Sequence, residues 1–217
     1  MQIQRRSFLG TVGVSALAAS IEAPANAAAA AVDDKWDISW VERVNRKHRA
    51  VFDSPELSGG AALVRAFNWK AEYKDVYGTP PEDMSAVLVM RGEGVWLAMN
   101  DEFWKAYKVG EENGFKSGKS GQFRETNPIA SAAADATSAQ AERTLPKFLA
   151  AGNVGLACNR AFASVVELVK KVDKLPSDDE ARKKALTFLM PGVILQPSGV
   201  FATLRAQEAG CNYILAS

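Results

Sequence analysis

This sequence is short of the residues that most site chemistry needs. Its 217 residues include two cysteines and one histidine. Two cysteines do not make a disulfide scaffold, and a single histidine makes a zinc site a poor expectation. Neither sign of charge is in surplus: 26 Lys and Arg stand against 25 Asp and Glu. With no basic excess to neutralise a phosphate backbone, nucleic acid is not an expected partner. Beyond the N-terminal segment, no run is apolar for long enough to span a bilayer. No internal repeat is present. What remains, 47% hydrophobic and 24% charged, is the composition of one globular domain with or without an export segment.

The first residues read as an address. Gln4-Arg5-Arg6-Ser7-Phe8-Leu9-Gly10 resembles a twin-arginine export signal, and a weakly apolar run from Thr11 to Ala19 follows it. Pro24-Ala25-Asn26-Ala27 then offers a small-x-small cleavage site, with the cut expected after Ala27. An ordinary secretory signal or a retained anchor are the alternatives. Removing residues 1–27 takes away Arg5, Arg6 and Glu22 and leaves the two signs of charge equal. The expected destination is an oxidising compartment, a bacterial periplasm, and residues 28–217 are expected to form a single domain.

Within that domain, strand-like and helix-like stretches alternate about five times. Residues 28–47 read as a wrapping segment carrying Trp36 and Trp40. His48 to Asp53 is the first expected strand. A helix from Ser58 to about Tyr77 follows, with Leu63, Val64, Phe67 and Ala71 at helical spacing. Met84 to Arg91 is apolar almost throughout, as suits a strand covered on both faces. Val95 to Met99 and Asp101 to Tyr107 read as short helical pieces. Val109 to Ala141, rich in Gly, Ser, Lys and Ala, reads as a solvated, flexible insertion or a flap. Glu142 to Ala151 is expected to be helical, with Pro146 admitted only in a first turn or at a kink.

Asn153 to Cys158 is the next strand. Its helix carries Phe162, Val165, Val166, Val169 and Val172 on one face. Ser177-Asp178-Asp179-Glu180 has capping-box spacing, and the helix it starts is expected to bury Ala185, Leu186 and Leu189. Val193 to Gln196 is a strand. Ser198 is an expected N-cap for a helix burying Val200, Phe201 and Leu204. Cys211 to Leu215 is the final strand. This alternation implies an α/β fold: three layers, α/β/α, around a mostly parallel sheet of about five strands.

The sharpest candidate for chemistry is Cys158. It falls at the turn from a strand into a helix, the side of an open α/β sheet where ligands usually bind. A helix N-terminus also lowers a thiol's pKa and so favours the nucleophilic thiolate. Arg160, next but one, could hold a thiolate or an anionic ligand, and Asn159 lies between them. The plainer reading is a small buried residue at a strand end. His48 starts the first strand, at the opposite rim, and is not an expected partner of Cys158. Cys211 begins its strand whereas Cys158 ends its own. A strand spans roughly 16 Å, so no disulfide is expected between them. The loop from Asp53 to Gly60 lies where nucleotide-binding folds keep a phosphate loop. It lacks the Walker and GxGxxG spacings, and Asp53 and Glu56 would repel phosphate. Asp53 could orient a ligand at the same rim as Cys158, or cap the turn that follows. No metal and no cofactor is expected.

Two stretches, Gly155-Leu156-Ala157-Cys158-Asn159-Arg160-Ala161 and Pro197 to Gln207 running on through Gly210 into Tyr213-Ile214-Leu215, resemble the DsrE/DsrF-like family of sulfur-relay proteins. The likeness extends over most of the chain from His48, best at His48 to Asp53, Met84 to Trp96 and Asn153 onward. It implies a three-layer α/β/α fold, a homo-oligomer, and sulfur carried as a persulfide at the position of Cys158, with a sulfur donor or acceptor protein as partner. A non-enzymatic module that binds a small ligand or a protein at the strand-end rim is the alternative.

Overall fold

The computed structural model describes residues 36–116, 121–131 and 141–217. The expected export segment, residues 1–27, and two parts of the 109–141 insertion lie outside the described residues. Among those described, five strands form one all-parallel sheet: β1 (His48–Ser54), β2 (Met84–Met90), β3 (Val154–Cys158), β4 (Val193–Gln196) and β5 (Asn212–Leu215). Their spatial order is β4-β3-β2-β1-β5. The chain steps strand by strand from β1 to β4, then returns across the sheet to place β5 on the far side of β1.

Helices flank the sheet on both faces, as the alternation of strands and helices predicts. The helices are α1 (Ala61–Tyr77), α2 (Asp101–Ala106), α3 (Val109–Glu112), α4 (Leu145–Ala150), α5 (Asn159–Asp173), α6 (Asp178–Thr187) and α7 (Gly199–Glu208). Strand parity divides the core between the two faces. Phe52, Leu88, Met90 and Ala157 point into the larger cluster, with Leu63 of α1 and Phe162 and Val165 of α5. Val51, Val87, Val89 and Leu156 point the other way, against Ala202 and Ala206 of α7 and against Trp40. Every residue of β2 is buried, so its apolar run is explained by cover on both faces. Trp40, in a 3-10 turn at Ser39–Arg43, pins the segment before β1 to the smaller cluster.

Local signals placed several element ends. Ser177 and Ser198 both act as N-caps: their Oγ atoms accept from Glu180 N–H at 3.2 Å and from Phe201 N–H at 3.1 Å. Pro146 sits in the first turn of α4, where its missing N–H costs nothing.

Four expectations need correction. On α7 the buried face is Gly199, Ala202, Thr203 and Ala206, while Val200 and Leu204 are 64% and 54% exposed. The sheet below α7 is already lined with Val and Leu, so the helix comes close only by presenting small residues. On α1, Val64 and Ala71 are exposed and Ala62, Leu63 and Ala66 carry the contact. Val172 and Leu186 are also exposed, whereas Leu168 of α5 is buried. Finally, the insertion is not solvated throughout. Val109 and Ile129 are buried in the larger cluster. Asn127 is fully buried and donates from Nδ2 to the carbonyls of Leu97 and Met99 at 2.9 and 2.5 Å. Gly110 allows the close approach of this segment, since a Cβ there would meet the Arg124 carbonyl oxygen at 2.1 Å.

Candidate functional site

Parallel strands bring all five carboxyl ends to one rim, and the chemistry-bearing side chains of this rim project to the α7 face. Cys158 ends β3 and is the N-cap of α5, with its Sγ accepting from Ala161 N–H at 3.4 Å. The residue is 6% exposed. It pairs in register with Gln196, which ends β4. Paired residues of parallel strands share a face, so Gln196 lies beside Cys158 on the α7 side. Gln196 is fully buried and donates from Nε2 to the Asp37 and Leu195 carbonyls at 2.7 and 3.0 Å. Its Oε1 is buried with no hydrogen-bond partner among the described residues, as is Nε1 of Trp40. An orphaned buried acceptor is uncommon and costs about 1–3 kcal/mol.

The other half of the rim is built around Asp53, which is 1% exposed. Arg91, the residue after β2, grips its carboxylate side-on: Nε donates to Oδ1 and Nη2 to Oδ2, both at 2.7 Å. The Tyr213 hydroxyl, from β5, donates to Oδ2 at 2.8 Å. This hydrogen bonding with Asp53 holds the Arg91 guanidinium more firmly protonated than usual. Burial, and then the bond to Asp53, raise the Tyr213 phenol. Arg91 remains 33% exposed, so a fixed cation is presented at the rim while the carboxylate beneath it is occupied by protein partners. Gly199 makes room for it: a Cβ there would meet Cβ and Cδ of Arg91 at 2.5 Å.

Met90 pairs with Ala157, so Arg91 and Cys158 stand at the same level of neighbouring strands. Asp53 is one strand further, about 10 Å away across the sheet. The site residues expected from sequence therefore separate into two roles. Cys158 faces the α7 side of the rim with Gln196. Asn159 turns to the other layer, where its Oδ1 accepts from Arg182 Nη2 at 2.6 Å and ties α5 to α6. Arg160 is exposed on the first turn of α5. Comparison with protein-family models, curated proteins and solved structures finds no match. The functional reading rests on the α/β fold and on these residues.

Arg91, Gln196 and Tyr213 were not singled out from the sequence. The signal that found Cys158, the last residue of a strand, also marks Gln196 and the residue after Met90. Tyr213 carries no such signal, because its meeting with Asp53 depends on β5 lying beside β1. Both cysteines are free and buried. Cys211 precedes β5 at the opposite rim, where burial pushes its thiol up to about 11 against the lowering effect of Arg49. Among the described residues, no three His, Cys, Asp or Glu side chains are grouped to hold a metal ion, and no helix is long and apolar enough to cross a membrane.

Proposed function

We propose that this chain is an exported, DsrE-like sulfur-handling protein in which Cys158 takes up sulfane sulfur as a persulfide and passes it to a partner thiol. The observation that carries this reading is the capping geometry of Cys158. Its Sγ accepts a backbone N–H at the start of a 15-residue helix, which fixes the sulfur at the strand-end rim where ligands of open α/β sheets bind. The thiolate attacks the outer sulfur of a donor R–S–SH. A new S–S bond forms at Cys158, the donor's S–S bond breaks, and the donor leaves as R–S⁻. A partner thiolate then removes the outer sulfur in the same way and restores Cys158. Gln196, in register with Cys158 on the neighbouring strand, supplies a buried amide beside the loaded sulfur. The resemblance of Gly155 to Ala161 and of Pro197 to Leu215 to the relay family supports the same chemistry. Twin-arginine export to the periplasm and assembly into a homo-oligomer belong to this reading.

The test is intact-mass spectrometry after incubation with glutathione persulfide. One added sulfur atom is expected on the native protein and none on Cys158→Ser. Gln196→Leu should load and then lose the sulfur faster. An absence of added sulfur on the native protein, or equal addition to the Cys158→Ser variant, overturns the proposal.

A second reading is favoured by the low exposure of Cys158 and the exposed guanidinium of Arg91. In it, the rim is a non-enzymatic site for an anionic small molecule or protein group, and Cys158 is a helix cap. Alkylation by iodoacetamide separates the two. Selective, rapid reaction at Cys158 favours sulfur transfer, and slow reaction in the native state favours the binding module.

A further inference from the structure

At the rim opposite Cys158, a cleft of about 530 Å³ opens between α1, α4 and the start of β2. Its walls are largely apolar: Ala66 and Phe67 from α1, Phe148 from α4, and Pro81. Four polar side chains line it, Lys70, Lys74, Glu82 and Asn153, and two of them are tied into the fold. Asn153 is buried and fully engaged, with Nδ2 donating to the Phe148 carbonyl and Oδ1 accepting from Ala86 N–H. Lys70, half-buried on α1, donates from Nζ to Asn153 Oδ1 at 2.7 Å and to the Met84 carbonyl at 2.9 Å. Both acceptors are neutral. Among the described residues no carboxylate pairs with Lys70. An ammonium has three donors, so one N–H is left over.

A half-buried cation without a counter-ion is costly. The volume, the apolar walls and the small number of polar groups are those of a small-molecule pocket. We propose that this cleft binds a monocarboxylate with a compact apolar body, its carboxylate paired with Lys70 and its body against Phe67 and Phe148. The other charged groups around Lys70 are Arg46, which faces it from before β1, and Lys74 and Glu82, which line the cleft. Two are cations, so the local balance favours an anion. Burial and then Arg46 lower the Lys70 ammonium from 10.5 to about 8, and a bound carboxylate would restore it. Affinity should therefore hold steady below about pH 8 and fall roughly tenfold per pH unit above it, because the amine must then take up a proton to bind.

Calorimetric titration with octanoate, and with 1-octanol as its uncharged counterpart, tests this. Saturable 1:1 binding of octanoate is expected, at least about tenfold tighter than octanol, the contrast that one charge-assisted hydrogen bond supports. Lys70→Met should abolish that preference, with folding checked by circular dichroism. Ala71 lines the cleft at an exposed position, so Ala71→Trp should block both ligands while leaving Lys70 and its bonds in place. Equal binding of octanoate and octanol, no saturable binding of octanoate, or undiminished binding in the Ala71→Trp variant overturns the proposal.

Discussion

Arg91 has two jobs that pull in different directions. Its guanidinium neutralises a carboxylate that is almost sealed from solvent, and it also presents a partly exposed cation at the rim. Removing it leaves Asp53 charged, buried and with only the Tyr213 hydroxyl as partner. Breaking a buried pair from one side costs about 3–5 kcal/mol. Arg91→Met is therefore expected to lower stability in urea unfolding by that amount, and Tyr213→Phe by about 1 kcal/mol. Equal, small losses in both variants would show that the pair is solvated. At this scale the sequence was informative where chemistry is local. Cys158 announces itself because the strand, the thiol and the helix are consecutive. Asp53 was found as a rim residue, but its engagement by Arg91 and Tyr213 depends on partners 38 and 160 positions away, which no local pattern encodes.

At the level of elements, α7 shows how a hydrophobic pattern misleads. Reading for large apolar residues selects Val200, Phe201 and Leu204. The helix instead packs through Gly199, Ala202 and Ala206, because Val51, Val87, Val89 and Leu156 already fill the interface. Ala206→Leu should overpack this face and cost about 1–3 kcal/mol. Leu204→Ser, on the exposed side, should stay within about 0.5 kcal/mol. Thermal unfolding of the two variants would reverse in order if the sequence-based face were the packed one. The insertion carries a related lesson. Its small and polar composition reads as solvated, yet Asn127 acts as a buried clamp on two main-chain carbonyls. Composition reports the average of a segment and misses single anchoring residues.

For the whole molecule, two groups at one rim titrate in opposite senses under alkaline conditions. Lys70 falls to about 8 in the fold against 10.5 unfolded. Between those values the unfolded chain holds a proton that the fold has released, so this group makes stability rise with pH. Cys211 is at about 11 in the fold against 9.0 unfolded. There the fold holds the extra proton, and stability falls as pH rises from 9.0 to about 11. The native protein should show a nearly flat urea midpoint where the two windows overlap. Cys211→Ala should become more stable with rising pH across it, and Lys70→Met less. A native profile that follows either single variant would sink this pairing. The fold class was legible because strands buried on both faces are written as continuous apolar runs, as in Met84 to Met90. The strand order was not, since β4 could return to either edge of the sheet.

That return has a consequence for how the nascent chain matures. Among the described strands β5 is synthesised last, yet its place is beside β1, the first of them. Ala216 N–H completes the junction by donating to the Asp53 carbonyl at 2.8 Å. Until those residues leave the ribosome, one edge of β1 is an open template for pairing with another chain, and Asp53 lacks its tyrosine. Residues 212–216 thus act as a clasp: ordering β5 closes the sheet edge and completes the polar rim in the same step.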